Sequence, residues 1–161
     1  MNTIKITILC ENTAGKLNLL GEHGFSALIE EGDFRILFDT GGGYTLKHNS
    51  QILNIDLSKI PILVLSHGHY DHTGGLSQFF EFNKHLERLY AHPEAFKKRY
   101  VKNANNTVRE IGYRGPDPTT FFNKVDVVLT SNPTQITPRI IVTGEIPRTN
   151  TIEDAGGAFF L

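Results

Sequence analysis

Residues 66–75 constrain the chain more than any other segment, because three histidines and one aspartate fall within six positions there. They follow residues 62–65, a short continuous apolar run typical of a strand buried on both faces. Neutral imidazole and carboxylate groups are good ligands for zinc and for similar first-row metals. The pattern therefore predicts a metal site whose ligands are His67, His69, Asp71 and His72.

The spacing of these four residues suits one or two metal ions. Alternation at the end of a strand points His67 and His69 the same way, and Gly68 lets the backbone turn between them. Asp71 and His72 follow where the chain turns, so they can face a second metal. Two adjacent metals can share a hydroxide that is nucleophilic at neutral pH. The alternative is a surface turn that happens to be rich in histidine.

Elsewhere the chain alternates between strand-like and helix-like segments. Alternating or continuous apolar runs predict strands at residues 4–8, 25–30, 34–38, 62–65, 89–91, 125–129 and 139–142. Weaker patterns predict helices at residues 44–54, 75–86 and 93–100. Residues 101–124 are the least regular. A hairpin followed by alternating strands and helices indicates an α/β protein with a mixed sheet and flanking helices.

Length and composition fit one ordinary domain. The chain has 161 residues, of which 39% are hydrophobic and 20% charged, enough for a buried core. The net charge of -1 gives no global electrostatic reason to expect nucleic acid or a membrane surface as a partner. Cys10 is the single cysteine, which excludes an internal disulfide and suits a reducing compartment. Residues 1–11 are too short and polar for a signal peptide, so a cytoplasmic protein is expected.

Residues 65–76, which contain the histidine cluster, resemble the signature of the metallo-β-lactamase superfamily. Other blocks narrow the resemblance to one branch of it, namely residues 22–26, 37–41, 91–96 and 143–148. That branch includes an archaeal dihydropterin ribofuranosyl-aminobenzene phosphate synthase of methanopterin biosynthesis, together with bacterial relatives. The similarity covers most of the chain, from its start to about Arg148.

The resemblance implies an αββα sandwich with the site at the edge of the sheets. It implies that His67 and His69 hold one metal. Asp71 and His72 would hold the other, with Asp71 as the catalytic residue. Asp39 would orient a ligand from behind it, although an aspartate that starts a turn explains this position nearly as well. Zinc is the default ion, with iron or manganese as alternatives.

The chain departs from the superfamily pattern in its second half. Members of the superfamily complete the site there with a third histidine, a bridging aspartate and a last histidine. All seven histidines of this chain lie at or before His92. An apolar run at residues 158–161 suits an element about to be buried. We therefore expect one domain, residues 1–161, that lacks the C-terminal half of the fold and holds metal weakly or at one site.

Some residues outside the cluster allow two interpretations. His23 either acts near the site or caps the hairpin. His92 either contacts substrate, serves as a spare metal ligand, or is structural. Glu145 and Arg148 either belong to a functional loop or form an ion pair at its rim.

Other side chains are expected to have no chemical role. A solvated surface loop is favoured over a phosphate clamp for Lys102, Arg109 and Arg114. Cys10 is expected in the core. Exposure to solvent is expected for His48 and His85.

These features favour a metal-dependent hydrolase that uses a metal-bound hydroxide on a small molecule, with a phosphorylated compound among the candidate substrates. One alternative is a transferase acting on a pterin diphosphate, as the resemblance to the archaeal synthase implies. Another is an inactive remnant, which the absent second-half ligands motivate. The sequence does not predict an oligomeric state.

Overall fold

Strands and short helices alternate along the chain. The computed structural model describes residues 3–150, 152 and 158–161. Its strands are β1 (Ile4–Cys10), β2 (Ser26–Glu31), β3 (Phe34–Phe38), β4 (Ile62–Val64), β5 (Arg88–Ala91), β6 (Tyr100–Lys102), β7 (Val108–Glu110), β8 (Asp126–Leu129), β9 (Thr134–Thr137), β10 (Ile140–Val142) and β11 (Phe159–Phe160). Its helices are α1 (Leu46–Ile52), α2 (Tyr70–Thr73), α3 (Leu76–Phe82) and α4 (Thr119–Phe122), with a 3₁₀ turn at Leu57–Lys59.

The main sheet contains six of these strands, in the spatial order β1-β2-β3-β4-β5-β8. Strands β1, β2 and β3 are antiparallel neighbours, whereas β3, β4, β5 and β8 run parallel. Smaller antiparallel sheets join β9 to β10, and β6 to both β7 and β11. The prediction of an α/β protein with a mixed sheet is confirmed. Because β3, β4 and β5 are parallel, their carboxyl ends meet at one edge of the sheet.

One face of the main sheet is covered by helices. Alternate residues of a strand point to opposite faces, so each strand contributes every second side chain to this core. The buried side chains here are mostly leucine and phenylalanine from the strands and from α1, α3 and α4, among them Leu9, Leu28, Leu37, Leu46, Leu63, Leu76, Phe79, Leu89 and Phe121.

The opposite face is covered in its middle by the hairpin of β9 and β10. The side chains buried there are Ile36, Ile62, Val64 and Tyr90, packed against hairpin residues that include Ile136, Ile140 and Val142. At the β1 edge the same face is open, since the exposed fractions are 59%, 61% and 44% for Ile4, Ile6 and Ile8. The alternation correctly predicts strand β1, but its isoleucine side lies largely in solvent.

Residues 93–100, predicted to be a helix, form successive turns instead. Ala95 N donates to His92 O, a bond that spans only three residues. The carbonyl oxygens of Ala95 and Lys97 accept hydrogen bonds from the Arg99 guanidinium. A helix would need those carbonyls for amides four residues further on, so the side chain of Arg99 replaces the helical pattern.

The predicted strands and the other two predicted helices are confirmed with bounds that differ by a few residues. The stretch 101–124 is more regular than predicted, because it contains β7, α4 and all of β6 except its first residue. Strands β9 and β11 were not predicted. None of the helices in the described part of the chain combines the length and the apolar character needed to cross a membrane.

Candidate metal centre

The histidine segment leaves the carboxyl end of β4 and turns into the short helix α2. Tyr70 N donates to Ile111 O at 2.9 Å, which ties the start of α2 to the segment after β7. The carbonyl of His69 accepts hydrogen bonds from both Thr73 N and Thr73 Oγ1, at 3.0 and 2.8 Å. The turn between the second and third histidines is therefore held by its own backbone and by a neighbouring loop.

Two earlier loops hold the same segment from its other side. Phe25 N donates to Asp71 O at 3.2 Å, and Thr40 N donates to His72 O at 2.8 Å. Gly24 has a φ of 150° and lies so close that a Cβ there would collide with the carbonyl oxygen of Asp71. The backbone of the cluster is thus fixed by chain segments that are distant in sequence.

The glycine loop at residues 41–43 is packed against the histidine segment. Gly74 N donates to Gly41 O at 2.9 Å. The Glu22 carboxylate accepts hydrogen bonds from Thr45 N and Thr45 Oγ1, at 3.2 and 2.7 Å, and so fixes the end of this loop. Sequence reasoning missed Glu22, and its only signal was its place in the block 22–26.

The four predicted ligands lie together. The imidazole rings of His67 and His69 have centroids 4.6 Å apart, and those of His67 and His72 are 4.1 Å apart. The Oδ2 atom of Asp71 is 3.6 Å from Nε2 of His72. Three imidazoles and one carboxylate therefore share one small volume at the carboxyl edge of the sheet.

Asp39 lies behind this cluster and is fully buried, with a left-handed backbone φ of 57°. Its Oδ1 accepts a bond from Ser66 N at 2.7 Å, and its Oδ2 accepts one from Ser66 Oγ at 2.6 Å. Nδ1 of His72 donates to the same Oδ2 at 2.7 Å. Since Ser66 Oγ gives its proton to Asp39, it accepts from Nδ1 of His67, 2.9 Å away. Both imidazoles thereby keep Nε2 unprotonated when neutral.

The histidines of the cluster have different proton affinities. Burial, with the neighbouring His72 and His69, lowers the pKa of His67 to about 4. Burial also lowers the pKa of His69, and the charge of Arg99 adds to this effect while Asp71 opposes it. Burial would lower the pKa of His72 as well, but its hydrogen bond to Asp39 and the charges of Asp39 and Asp71 raise the pKa above its ordinary value.

The donor set has the right chemistry for a metal ion but not a closed geometry. Imidazole nitrogen and carboxylate oxygen are donors that zinc, iron and manganese accept. Within residues 3–150, 152 and 158–161, however, no group of three or more His, Cys, Asp or Glu side chains is arranged to hold a metal ion. The cluster brings suitable donors to one place, and their final convergence would have to accompany metal binding.

His23 lies beside the cluster, next to Asp71. Its Nε2 is 3.4 Å from Oδ2 of Asp71, and its Nδ1 is 3.1 Å from Oδ1 of Asn12. The guanidinium of Arg114 stacks over the Tyr70 ring next to it, 4.2 Å from the ring centroid. Of the two interpretations of His23, the position fits a role near the site.

A cavity of about 750 Å³ opens beside the cluster. His67 and His92 both line it, and so does Glu145 from the loop after β10. Nε2 of His92 lies 2.7 Å from Glu145, and its Nδ1 accepts a hydrogen bond from Glu94 N at 3.1 Å. The proton of His92 therefore sits on Nε2 and is donated to Glu145, which ties the loop over the sheet and forms one wall of the cavity.

Of the remaining expectations about burial, most agree with the structure and one does not. Cys10 is buried and His85 is exposed, as predicted. His48 is half-buried instead of exposed, because its Nε2 bonds with Asn18 O at 2.8 Å. Solvent exposure, as predicted for a surface loop, is seen for Lys102, Arg109 and Arg114. Arg148 is exposed as well, and Glu145 pairs with His92.

Phe159 of β11 covers part of the cluster, which sequence reasoning did not anticipate. Its ring centroid lies 5.3 Å from that of His69. β11 pairs with β6 through Phe159 and Val101, and the ring of Phe160 stacks on Tyr100 with centroids 5.6 Å apart. The apolar run at residues 158–161 is therefore used beside the site, although its side chains remain partly exposed.

Sequence comparison gives a family and two relatives. Residues 20–144 match the family model described as the metallo-β-lactamase superfamily. An uncharacterized protein of Methanocaldococcus jannaschii, MJ0448, is 39% identical over 144 residues, which is 89% of this chain and 54% of that protein. The 7,8-dihydropterin-6-methyl-4-(β-D-ribofuranosyl)-aminobenzene-5'-phosphate synthase of the same organism is 34% identical over 158 residues, 91% of this chain and 52% of that protein. The chain spans about half the length of the curated relatives it matches.

Solved structures share the fold. The metallo-β-lactamase fold protein YhfI from Bacillus subtilis has a TM-score of 0.52 and 17% identity, and the match covers 86% of this chain and 50% of that one. A diphosphatase from the PhnP family has a TM-score of 0.51 and 15% identity, with 83% and 54% covered. These matches confirm the predicted fold class.

Proposed function

The chain belongs to the metallo-β-lactamase superfamily, and on this premise we propose that it is a metal-dependent hydrolase of a small molecule. The strongest support is the clustering of His67, His69 and His72 with Asp71 at the carboxyl edge of the sheet. A zinc, iron or manganese ion bound by these residues would lower the pKa of a water molecule and polarise the bond under attack.

The chain's own groups prepare the donors. Because burial holds the pKa of His67 and His69 below the ordinary value, both imidazoles are neutral at pH 7 and can present a lone pair. Nδ1 of His72 donates to Asp39, which leaves Nε2 to face the cluster. Oδ2 of Asp71 lies between His72 and the exposed ring of His23, and we assign it as the atom that accepts the proton of the attacking water.

A transferase is the second candidate function. It is favoured by the 34% identity to an archaeal protein named as a synthase of a ribofuranosyl-aminobenzene phosphate. Because this chain spans about half of that relative, the relative's reaction is a hypothesis for this one. A transferase would join two organic substrates and would release no hydrolysis product when the second substrate is in excess.

Metal content and turnover of the purified chain test the proposal. We expect at least one equivalent of metal after dialysis against zinc, manganese or iron(II), and hydrolysis of an activated phosphodiester or thioester. The double variant His67→Ala/His69→Ala should lose both. His85→Ala is the matched control, since that histidine is exposed and lies outside the cluster.

Three outcomes are distinguishable. Metal content that is unchanged in the double variant would falsify the ligand assignment. Metal binding without hydrolysis, but with condensation of a pterin diphosphate and an aminobenzene ribofuranosyl phosphate, would support the transferase. A chain that binds no metal and shows no turnover would support an inactive remnant.

A further inference from the structure

Arg99 lies against the backbone of the histidine cluster. A Cβ at Gly68, between the first two histidines, would be 2.5 Å from Nη1 of Arg99. The guanidinium therefore packs against the backbone between His67 and His69, where glycine leaves the room that it needs. Arg99 itself is half-buried in the turn that replaces the predicted helix.

The polar contacts of Arg99 are to backbone carbonyls, and the charge of Glu94 acts on it without a direct ion pair. Nη1 donates to the carbonyl oxygens of Ala95 and Lys97, at 3.4 and 3.1 Å. In the described part of the chain, no carboxylate oxygen lies within 4.0 Å of a guanidinium nitrogen of Arg99, so Arg99 forms no ion pair there. The nearby Glu94 pairs with Lys97 at 2.6 Å instead. Nε and Nη2 therefore retain N–H groups that no protein acceptor in this part of the chain uses.

A fixed cation beside a cluster of metal donors needs an explanation, because it repels a metal ion. An anion bound next to the metal would explain it, because the anion would neutralise the guanidinium charge. A guanidinium presents its N–H groups in a fork that fits two oxygens of one phosphate or carboxylate group.

The cavity beside Arg99 has two chemically different parts. Its polar lining includes Arg99, His67 and His92, which follow the carboxyl ends of β4 and β5. It also includes Glu94 and Glu145, whose carboxylates already pair with Lys97 and His92. The rest is apolar and comes from the interior of the sheet and from the β9–β10 hairpin, with side chains such as Phe38, Val64, Ile136, Ile140 and Ile141. An apolar pocket with a few convergent polar groups is typical of a small-molecule site.

We infer that this cavity binds a small organic oxyanion, with its phosphate or carboxylate group on Arg99 next to His67 and its apolar body against Phe38 and the β9–β10 hairpin. The inference rests on the proposed function in one respect, since it names the substrate class of that site. The binding itself requires only Arg99 and the cavity wall.

Binding of unreactive probes to the metal-free protein tests the inference separately from catalysis. The probes are phenylphosphonate, phenylacetate, inorganic phosphate and neutral benzyl alcohol, titrated by calorimetry in the presence of a chelator. We expect phenylphosphonate or phenylacetate to bind more tightly than phosphate and benzyl alcohol. Whichever of the two binds better identifies the head group.

Variants separate the two ends of the ligand. Arg99→Gln should weaken the binding of the aryl anions about 10- to 100-fold, the range expected for lost charge-assisted hydrogen bonds. Arg99→Lys keeps the charge without the fork and should recover part of the affinity. Ile141→Ser should weaken the aryl anions but not phosphate, and Arg109→Gln, on the exposed face of β7, should change nothing.

The outcomes do not overlap with those of the proposed function. Arg99-dependent binding of an aryl anion to a chain that never hydrolyses anything supports the inference and counts against the hydrolase. Hydrolysis with equal affinity for aryl anions in wild type and Arg99→Gln, both folded by circular dichroism, overturns the inference and leaves the hydrolase standing.

Discussion

Nδ1 of His72 donates to the fully buried carboxylate of Asp39 over 2.7 Å, and this bond links the core of the protein directly to the histidine cluster. Asp39 adopts a left-handed backbone conformation to make it. The bond fixes both the direction of the imidazole and the nitrogen that carries its proton. It is the reason why Asp39 is more than a turn residue.

Asp39→Asn should therefore weaken metal binding without unfolding the protein. An amide NH₂ in place of Oδ2 would face Nδ1 as a donor, so the proton of His72 would move to Nε2, the nitrogen that faces the cluster. We expect zinc affinity to fall about 10- to 100-fold, as for other residues that support a ligand. Competition titration with a chromophoric chelator measures this, and Asp33→Asn in the exposed β2–β3 turn is the control. Equal affinities in the two variants would contradict the role of Asp39.

Gly68→Ala should destabilise the fold and the site together. The new Cβ would collide with the Ala95 carbonyl oxygen and lie 2.5 Å from Nη1 of Arg99. Because one of these neighbours is backbone, the turn must move, and the free energy of unfolding should fall by about 3 kcal/mol. Urea denaturation gives the value. Gly15→Ala is the control, because a Cβ there meets nothing within 4 Å, and its free energy of unfolding should stay within about 0.5 kcal/mol of wild type. A loss for Gly68→Ala as small as that of the control would mean that the turn around Ala95 and Arg99 is loosely packed.

Cys10 should be unreactive in the folded chain. Burial, with the Glu22 carboxylate adding to it, raises the pKa of the Cys10 thiol to about 12. We expect iodoacetamide at pH 8 to alkylate the native chain at least about 100-fold more slowly than the urea-unfolded chain, as followed by mass spectrometry.

The same shift predicts a pH dependence of stability. Between the ordinary thiol pKa of 9.0 and about 12, the unfolded chain has lost the Cys10 proton and the folded chain has kept it. The unfolded state therefore binds fewer protons, and the free energy of unfolding should fall as pH rises through this window. Cys10→Ala should lack that part of the decline, and an identical alkaline profile would show that Cys10 is not buried.

The open face of β1 predicts an asymmetry between neighbouring positions. Ile6 is 61% exposed and Leu9 is 1% exposed, although they lie in the same strand. Ile6→Thr should change the free energy of unfolding by about 0.5 kcal/mol or less, whereas Leu9→Ala should cost about 2–5 kcal/mol. Equilibrium urea unfolding tests both. A cost above about 1.5 kcal/mol for Ile6→Thr would mean that the isoleucine face is covered in solution.

The histidine cluster and the central strands could be predicted because their signals are local. Four ligand-type residues within a short segment, and a continuous apolar run before them, need no partner to be recognised. The cluster then lies at the carboxyl edge of the parallel strands, and a site at the edge of the sheets is what the family resemblance implies.

Of the residues that support the cluster, Asp39 could be named only through the family resemblance, and the roles of Glu22 and Arg99 were not found. Asp39 acts through a buried bond to His72, Glu22 through the loop that begins α1, and Arg99 through the backbone beside Gly68. Each of these contacts joins chain segments that are distant in sequence, so no periodicity or spacing reports it. The helix expected at residues 93–100 failed for a local reason, since the Arg99 side chain takes up two carbonyls of the same segment.

The carbonyls of Asp71 and His72 accept their hydrogen bonds from the amides of Phe25 and Thr40. The histidine segment can therefore reach its final shape only after the β2–β3 hairpin has joined β4. Opening of this region would expose the Phe25 and Thr40 amides to hydrogen exchange in the same event that scatters the metal donors. Loss of an ion and loss of amide protection at these two positions should then proceed at one common rate.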